Sequence, residues 1–129
     1  MRKIAGLFLS AFTLVGLAGC GENSLAVKAV EQGKLALASH EYDEAESSFE
    51  MAIKEGSKDS EEKEVVEIIK AFKESSELFE QGDLNNAKKV ISSMNNYSKY
   101  AINEEIEMLK KTIEETIVLM MSLLNKSIV

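Results

Sequence analysis

The sequence predicts an all-α protein in which two antiparallel helical hairpins are closed by a long C-terminal helix. Its 129 residues contain no proline and only seven glycines, and 29% of them are charged. Proline and glycine are the residues that helix interiors tolerate least, whereas the abundant Glu, Lys, Ala and Leu favour helix. Large apolar residues also recur every three or four positions along most of the chain, which is the period of an amphipathic helix.

Five segments carry this helical period after the first 23 residues. Their expected ranges are 24–39, 42–55, 59–81, 84–95 and 98–125. Ser24 is expected to cap the first segment, and Gly56 and Gly82 are expected to end the second and third in left-handed turns, which glycine adopts without steric cost. The acidic run from Lys58 to Glu64 is interpreted as the solvated start of the third helix.

The fifth segment is the longest, and its apolar residues fall at steps of four, three, four, four, three and four. They are Ile102, Ile106, Leu109, Ile113, Ile117, Met120 and Leu124. These steps are close to a heptad seam, although one helix of this length can equally pack within its own domain. Residues 117–129 are apolar nearly all round and too short to span a bilayer, so we expect them to pack over the hairpins, against residues such as Val30 and Phe72. In the alternative interpretation, this end stays exposed and docks a partner or a second copy of the chain.

A short pattern occurs twice, once in each predicted hairpin. An aromatic residue or leucine at position i is followed by Ala at position i+3 and by a large apolar residue at i+7. A small or flexible apolar residue then occupies position i+10. The positions are Tyr42, Ala45, Phe49 and Ala52, and then Leu84, Ala87, Ile91 and Met94. A small Ala at a helix crossing lets the two axes approach closely, and the large residue one turn later fills the groove.

This pattern resembles the second half of a tetratricopeptide repeat, over about residues 26–99. Gly33 and Ser75 each lie twelve residues before the shared Ala, where that family keeps a small residue for close packing in its first helix. The chain departs from the family because Ala29 and Ala71 stand where a large aromatic is usual, and because the closing proline is absent. The resemblance implies two divergent hairpins, whereas a generic amphipathic four-helix run is the alternative interpretation.

The resemblance also implies an inner, concave face formed by the first helix of each hairpin. Its expected residues are Val27, Val30, Lys34, Leu37, Ile69, Phe72, Ser76 and Phe79. A face with so many apolar side chains is too apolar to be fully exposed to solvent on a water-soluble domain. Two hairpins alone are also short for a stable stack, so we expect the fifth helix to cover this face, with a protein or peptide partner as the alternative.

The N-terminus has the pattern of a signal peptide. Arg2 and Lys3 precede an apolar run, residues 4–16, which is shorter than the roughly 20 residues of a membrane span. Leu17-Ala18-Gly19-Cys20 follows, and Cys20 is the only cysteine in the chain. This motif is similar to the lipobox of bacterial lipoproteins, and the resemblance implies a diacylglycerol on the Cys20 sulfur, cleavage before Cys20 and a site for N-acylation. Two acyl chains give stable anchoring, where one gives only marginal binding.

These features divide the chain into a cleaved signal peptide (1–19), a lipidated N-terminus with a short tether (20–23) and a helical domain (24–129). Without residues 1–19 the chain has 13 basic and 22 acidic residues, a formal net charge of −9. Such an acidic surface argues against binding nucleic acid or spreading on anionic lipid. The expected location is the extracytoplasmic face of a bacterial cell membrane, reached through the acyl chains.

No residue pattern in the chain points to catalysis. His40, the only histidine, is expected in the turn between the first two helices, and a general base needs both a nucleophile and an orienting partner. The sequence has no Gly-rich phosphate loop and no zinc-spaced ligand set, and its acidic pairs lack the alternating oxygen ligands of a calcium loop. We therefore expect no enzyme activity, no metal site and no cofactor beyond the covalent lipid on Cys20.

Two classes of function remain compatible with the sequence. The first is a lipid-anchored helical scaffold or adaptor that holds a protein or peptide partner at the outer face of the membrane. The second is a passive envelope-associated structural, inhibitor or immunity-type lipoprotein that acts through its acidic surface. A pocket on the inner face favours the first class, and a sealed core with a wholly acidic exterior favours the second. Self-association through the fifth helix is compatible with both.

Overall fold

The computed structural model describes residues 23–128, and over this range the chain forms five α-helices and no β-strand. The helices are α1 (Asn23–Ala38), α2 (Tyr42–Lys54), α3 (Ser60–Glu80), α4 (Leu84–Ser92) and α5 (Asn103–Ser127). Helices α1 and α2 form one antiparallel hairpin and α3 and α4 form a second, α2 packs against α3, and α5 packs mainly on α4. The predicted all-α architecture of two hairpins and a long C-terminal helix is confirmed.

The first hairpin is held together by a close approach at Gly33. A Cβ added to Gly33 would lie only 3.0 Å from ring carbons of Phe49, so only glycine fits here without a shift of the ring. Ala45 and Ala52 lie on the same side of α2 as Phe49 and are fully buried. The prediction of a small residue at a tight contact in the first helix is therefore confirmed. The predicted cap, Ser24, instead lies within α1, which begins one residue earlier.

The second hairpin repeats this arrangement with a hydrogen bond. The Ser75 hydroxyl donates to the backbone oxygen of Ala87 at 2.9 Å, and both residues are fully buried. The predicted turns are also in place, because Gly56 and Gly82 have φ angles of +95° and +82° and follow the ends of α2 and α3. Positive φ is the conformation in which glycine is favoured, and each glycine lets the chain reverse into the next helix.

Surface ion pairs join the two hairpins along α2 and α3. The Lys73 ammonium contacts Asp43 and lies 2.9 Å from a carboxylate oxygen of Glu46, and the Lys70 ammonium lies 2.6 Å from Glu50. Hydrogen bonds to Asp43 and then to Glu46 raise the pKa of Lys73 above its usual value. Exposed pairs of this kind contribute little stability.

The connection between α4 and α5 differs from the sequence prediction. Helix α4 ends at Ser92 rather than at position 95, Asn96 adopts a left-handed conformation with φ +60°, and a 3-10 turn occupies Tyr97–Lys99 before α5 begins at Asn103. Asparagine tolerates the left-handed region better than most residues, because its short side chain bonds locally. The turn delays the start of α5 by about five residues relative to the predicted range.

Helix α5 covers the second hairpin with its first half only. Ile102, Ile106 and Ile113 are fully buried, whereas Met120 is 50% exposed and Leu124 is 60% exposed. The expectation that the C-terminal end packs over the hairpins is therefore wrong. Since α5 is longer than the hairpin it packs against, its last turns extend into solvent. We call residues 118–128 the C-terminal overhang.

Truncating the domain after residue 117 is expected to leave its free energy of unfolding within about 0.5 kcal/mol of the untruncated value, because exposed residues away from the core contribute little. Replacing the buried Ile113 with Ala, by contrast, should cost about 2–5 kcal/mol. Chemical denaturation of residues 21–117, of residues 21–129 and of the Ile113→Ala variant, all in dilute solution, gives the comparison. A truncation as costly as Ile113→Ala would mean that the overhang is packed.

Candidate functional site

The α1 half of the predicted inner face lines a cleft at one end of the molecule. Val27, Val30 and Lys34 border a space of about 750 Å³ between α1, the α2–α3 turn and the first turn of α3. The turn contributes Gly56 through Asp59. Val27 is exposed and Val30 is half-buried, so this part of the face is open, and the expectation that the fifth helix covers it is wrong.

A second, smaller cavity of about 220 Å³ adjoins the first. The two share Lys34, Glu61 and Glu62 in their linings, and the smaller one also reaches residues 99–101 before α5. Its apolar lining comes from Leu37, Phe49 and Val65. We call the two cavities together the α1–α3 groove.

The α3 half of the predicted inner face lies elsewhere. Ile69 is fully buried in the core, and Phe72 packs edge-on against Tyr42 with 5.1 Å between ring centroids. Ser76 and Phe79 are half-buried, and none of the four residues lines the α1–α3 groove. The structure thus brings Val27, Val30, Lys34 and Leu37 to one site and leaves the other four predicted residues outside it.

Glu62 is a groove residue that the sequence prediction missed. The charge pattern predicts a solvated run from Lys58 to Glu64, but Glu62 is only 7% exposed, and its Oε2 atom has no hydrogen-bond partner among the described residues. The spacing of Glu62 in the sequence does indicate its burial. It lies three residues before Val65 and seven before Ile69, on the side of α3 that faces the core. An unpaired buried carboxylate oxygen is costly, so a donor or cation reaching it would be favoured.

One wall of the groove is fixed by a cluster that the sequence did not reveal. The Glu64 carboxylate accepts a hydrogen bond from the Tyr100 hydroxyl at 2.8 Å and lies 3.0 Å from the Lys99 ammonium. Hydrogen bonds from Lys99 and then from Tyr100 hold the pKa of Glu64 below its ordinary value of 4.5, and burial and Glu64 raise the pKa of Tyr100. The cluster ties the segment before α5 to the start of α3.

Lowering the pH should weaken this cluster and thereby lower the free energy of unfolding of the domain. The folded-state pKa of Glu64 is lowered, so its contribution is fully present above the unfolded value near 4.5 and is lost as the pH falls through the folded pKa. We expect Glu64→Gln to lose less unfolding free energy than the wild type between pH 6 and pH 3. Glu67→Gln, an exposed neighbour on α3, is the control and should keep the wild-type slope. Equal slopes for all three proteins would contradict the assignment.

The predicted turn histidine is at the junction of the first hairpin and α5. His40 has φ +62° in the turn between α1 and α2, and its Nδ1 atom lies 2.8 Å from Glu105 and 3.2 Å from the Tyr42 hydroxyl. The side chain is exposed, and these contacts link the turn to α5. Over residues 23–128, no group of three or more His, Cys, Asp or Glu side chains is arranged to hold a metal ion.

Cys20, the predicted lipidation site, lies outside the described residues. Within the described range, none of the helices combines the length and the apolar character needed to cross a bilayer. Comparisons of the chain with family models, with curated proteins and with solved structures found no match.

Proposed function

We propose that this protein is a lipid-anchored extracytoplasmic lipoprotein that acts as a non-catalytic helical scaffold or adaptor at the outer face of a bacterial cell membrane. The observation that carries the scaffold role is the open α1–α3 groove, which has an apolar lining beside charged groups. The anchoring role rests on the lone Cys20 behind a short apolar segment. The proposal assigns no reaction and no cofactor other than the covalent lipid.

The position of the groove in the fold fits a partner held close to a membrane. Helix α1 begins at Asn23, three residues after Cys20, and three extended residues reach at most about 11 Å. Ala26 and Val27, in the first turns of α1, line the groove. A lipid on Cys20 would therefore keep this end of the groove beside the bilayer surface, where a partner in the same membrane is accessible.

The size and lining of the groove favour a polypeptide segment as the ligand. The outer cavity of about 750 Å³ adjoins an inner cavity of about 220 Å³, so the groove accommodates an extended ligand that inserts one side chain into the smaller space. An apolar side chain of a partner could enter against Leu37, Phe49 and Val65, while polar groups of the same segment reach Lys34 and the buried Glu62 carboxylate. Of these groups, Lys34 is exposed and a buried Glu62 carboxylate oxygen has no hydrogen-bond partner among the described residues, so both are available to a ligand.

The contacts inside each hairpin support the resemblance to tetratricopeptide repeats. Gly33 meets Phe49 in the first hairpin, and Ser75 bonds to Ala87 in the second, at the paired positions that the repeat pattern predicts. That family presents a concave face built from the first helix of each hairpin. The α1–α3 groove uses such a face only in its α1 half and is completed by the segment before α5.

Site-specific photocrosslinking in intact cells tests the scaffold role. The full-length chain would carry a photoreactive residue in place of Lys34 in the groove or, as a matched control, in place of Lys28, which is exposed on α1 outside the groove lining. We expect a discrete protein adduct from position 34 and none from position 28. Ala101→Trp, which fills the inner cavity from its lining, should abolish the adduct.

The passive alternative makes the opposite prediction. A lipoprotein that acts through its general acidic surface should give the same adduct yield from an exposed acidic position, such as Glu77, as from position 34. Equal adduct yields from positions 34, 28 and 77, or insensitivity of the adduct to Ala101→Trp, would reject the groove as the binding site and favour the alternative function.

A further inference from the structure

The C-terminal overhang exposes more large apolar side chains than any other segment that the structure describes. Those at least half exposed are Val118, Leu119, Met120, Met121, Leu123, Leu124 and Ile128. Residues 116–125 include no charged side chain, and Lys126 is the only charge in the overhang. An apolar patch of this kind on an otherwise acidic chain marks an interaction surface.

The length of α5 places the overhang beyond the end of the second hairpin. The Tyr100–Glu64 hydrogen bond sets the start of α5 beside the first third of α3, and Lys88 in the middle of α4 lies 3.8 Å from Glu114. At 1.5 Å per residue, α5 is about 36 Å long, whereas α3 continues for only about 24 Å beyond Glu64. About 10 Å of α5 or more therefore has no neighbouring helix.

The uncovered face of the overhang continues the face by which α5 packs in its own domain. Met120 and Leu124 follow Ile106, Ile113 and Ile117 at helical spacing, so they point in the direction of the hairpin that ends beneath them. The charged residues Glu115 and Lys126 lie on the opposite side of the helix, in a stripe with Ser122, and the polar residue of the uncovered face is the neutral Ser127. The face without a partner is therefore uncharged.

We infer that the overhang docks onto a second copy of the same chain, as an antiparallel pair of α5 ends related by a twofold axis. In this arrangement Met120 of one copy lies opposite Leu124 of the other, and the symmetry makes the same contact twice. Each overhang occupies the space left where the other copy's hairpin stops. The contact is therefore formed by one surface that is complementary to itself.

Charge favours this occupant and this orientation. The chain has a formal net charge of −7, so most surface contacts between two copies would bring acidic groups together. The uncharged face of the overhang is free of this repulsion. Antiparallel pairing also places the two acidic bodies at opposite ends of the dimer, whereas parallel pairing would set them side by side.

The size of the contact predicts a weak dimer. Each copy contributes only residues 118–128, which is fewer than the roughly 20–30 residues a side of a standard interface. We therefore expect dissociation in the micromolar range, with more complete pairing where copies are concentrated. The pairing of two overhangs is argued from α5 and the charge of the chain, whereas the case against a membrane also rests on the proposed attachment at the N-terminal end.

A membrane is the competing occupant, and the fold disfavours it. Helix α1 starts at the α2–α3 turn, near the beginning of α3, whereas the overhang lies past the end of α3. The start of α1 and the overhang are thus at opposite ends of the molecule, on the order of 40 Å apart by helix rise. A chain attached through its N-terminal end would point the overhang away from the attached bilayer.

Photocrosslinking of two differently tagged full-length chains in one bacterial host tests the inference. One chain carries a photoreactive residue at position 120, and the expected product is an adduct that contains both tags. Leu124→Glu in both chains should lower its yield at least tenfold, because a carboxylate would face the uncharged contact. Val118→Glu, an equally exposed position on the polar side of α5, is the matched control and should stay within twofold of the original yield.

Each other result overturns the inference. An adduct with lipid would show that the overhang contacts a membrane, and an adduct with a different protein would show that it binds another partner. The absence of any adduct would show that this face of α5 does not mediate association. Equal losses for Leu124→Glu and Val118→Glu would contradict the antiparallel face. The thermal midpoints of the purified full-length variants show that the chains are folded, and Ile128→Glu provides a second substitution on the same face with the same expected loss.

Discussion

Replacing Ala87 with Leu is expected to lower the free energy of unfolding of the domain by about 1–3 kcal/mol, because three added carbon atoms have no space at a fully buried helix crossing. The backbone oxygen of Ala87 also accepts the Ser75 hydroxyl at 2.9 Å, so a shift of α4 would strain this hydrogen bond. Chemical denaturation of residues 21–129, with and without the substitution, measures the change.

Ala45→Leu should have an effect of the same size, since Ala45 is the corresponding fully buried residue of the first hairpin. Ala38→Leu is the matched control, because Ala38 is exposed at the end of α1 and can accept a larger side chain. If the midpoints for Ala45→Leu and Ala87→Leu both equalled that of the wild type, the close helix crossings that define the two hairpins would be disproved.

Cys20→Ser is expected to abolish attachment of the lipid anchor. A serine oxygen does not replace the cysteine sulfur as the acceptor of diacylglycerol, and signal-peptide cleavage in lipoproteins follows that modification. The variant should accumulate as an unprocessed precursor, or its helical domain should be released from the membrane. Fractionation of cells, followed by gel mobility of the chain, measures both outcomes. Ser24→Ala, a nearby change that leaves the motif intact, should behave like the wild type. A Cys20→Ser protein that was processed and anchored normally would refute the lipobox interpretation.

The helical hairpins were predictable because their determinants are local. Ala45 and Ala87 occur at repeated positions within amphipathic segments, and Gly33 lies at a fixed spacing before the first of them. Gly56 and Gly82 marked the turns, since a left-handed residue is required where a helix reverses tightly. A single sequence shows such features directly, because each one depends on a few neighbouring residues.

The wall of the groove was not predictable, because it depends on residues far apart in the chain. Glu64 and Tyr100 are separated by 36 residues, and their contact requires the left-handed turn at Asn96 and the 3-10 turn after it. Neither charge nor periodicity distinguishes Glu64 from the other glutamates in the first turns of α3. The predicted inner face therefore contained the α1 residues of the groove but not its other side.

The exposure of the overhang was missed for a related reason. The apolar pattern of α5 continues without interruption from Ile102 to Leu124, and pattern alone gives no measure of how far a neighbouring helix extends. Burial of Met120 depended on where α5 starts relative to α3, which is set by the connection after Ser92. A shift of a few residues at that connection decides which turns of α5 are covered.

We propose above all that the chain is held at a membrane by a lipid on Cys20 and presents a helical domain outside the cytoplasm. Intact mass spectrometry of the N-terminal peptide, from protein extracted from bacterial membranes, tests this claim most directly. We expect a peptide that begins at Cys20 and carries the added mass of a diacylglycerol on its sulfur, with or without an N-acyl chain. A peptide that begins at Met1, or one that begins at or beyond Cys20 without lipid, would contradict the claim.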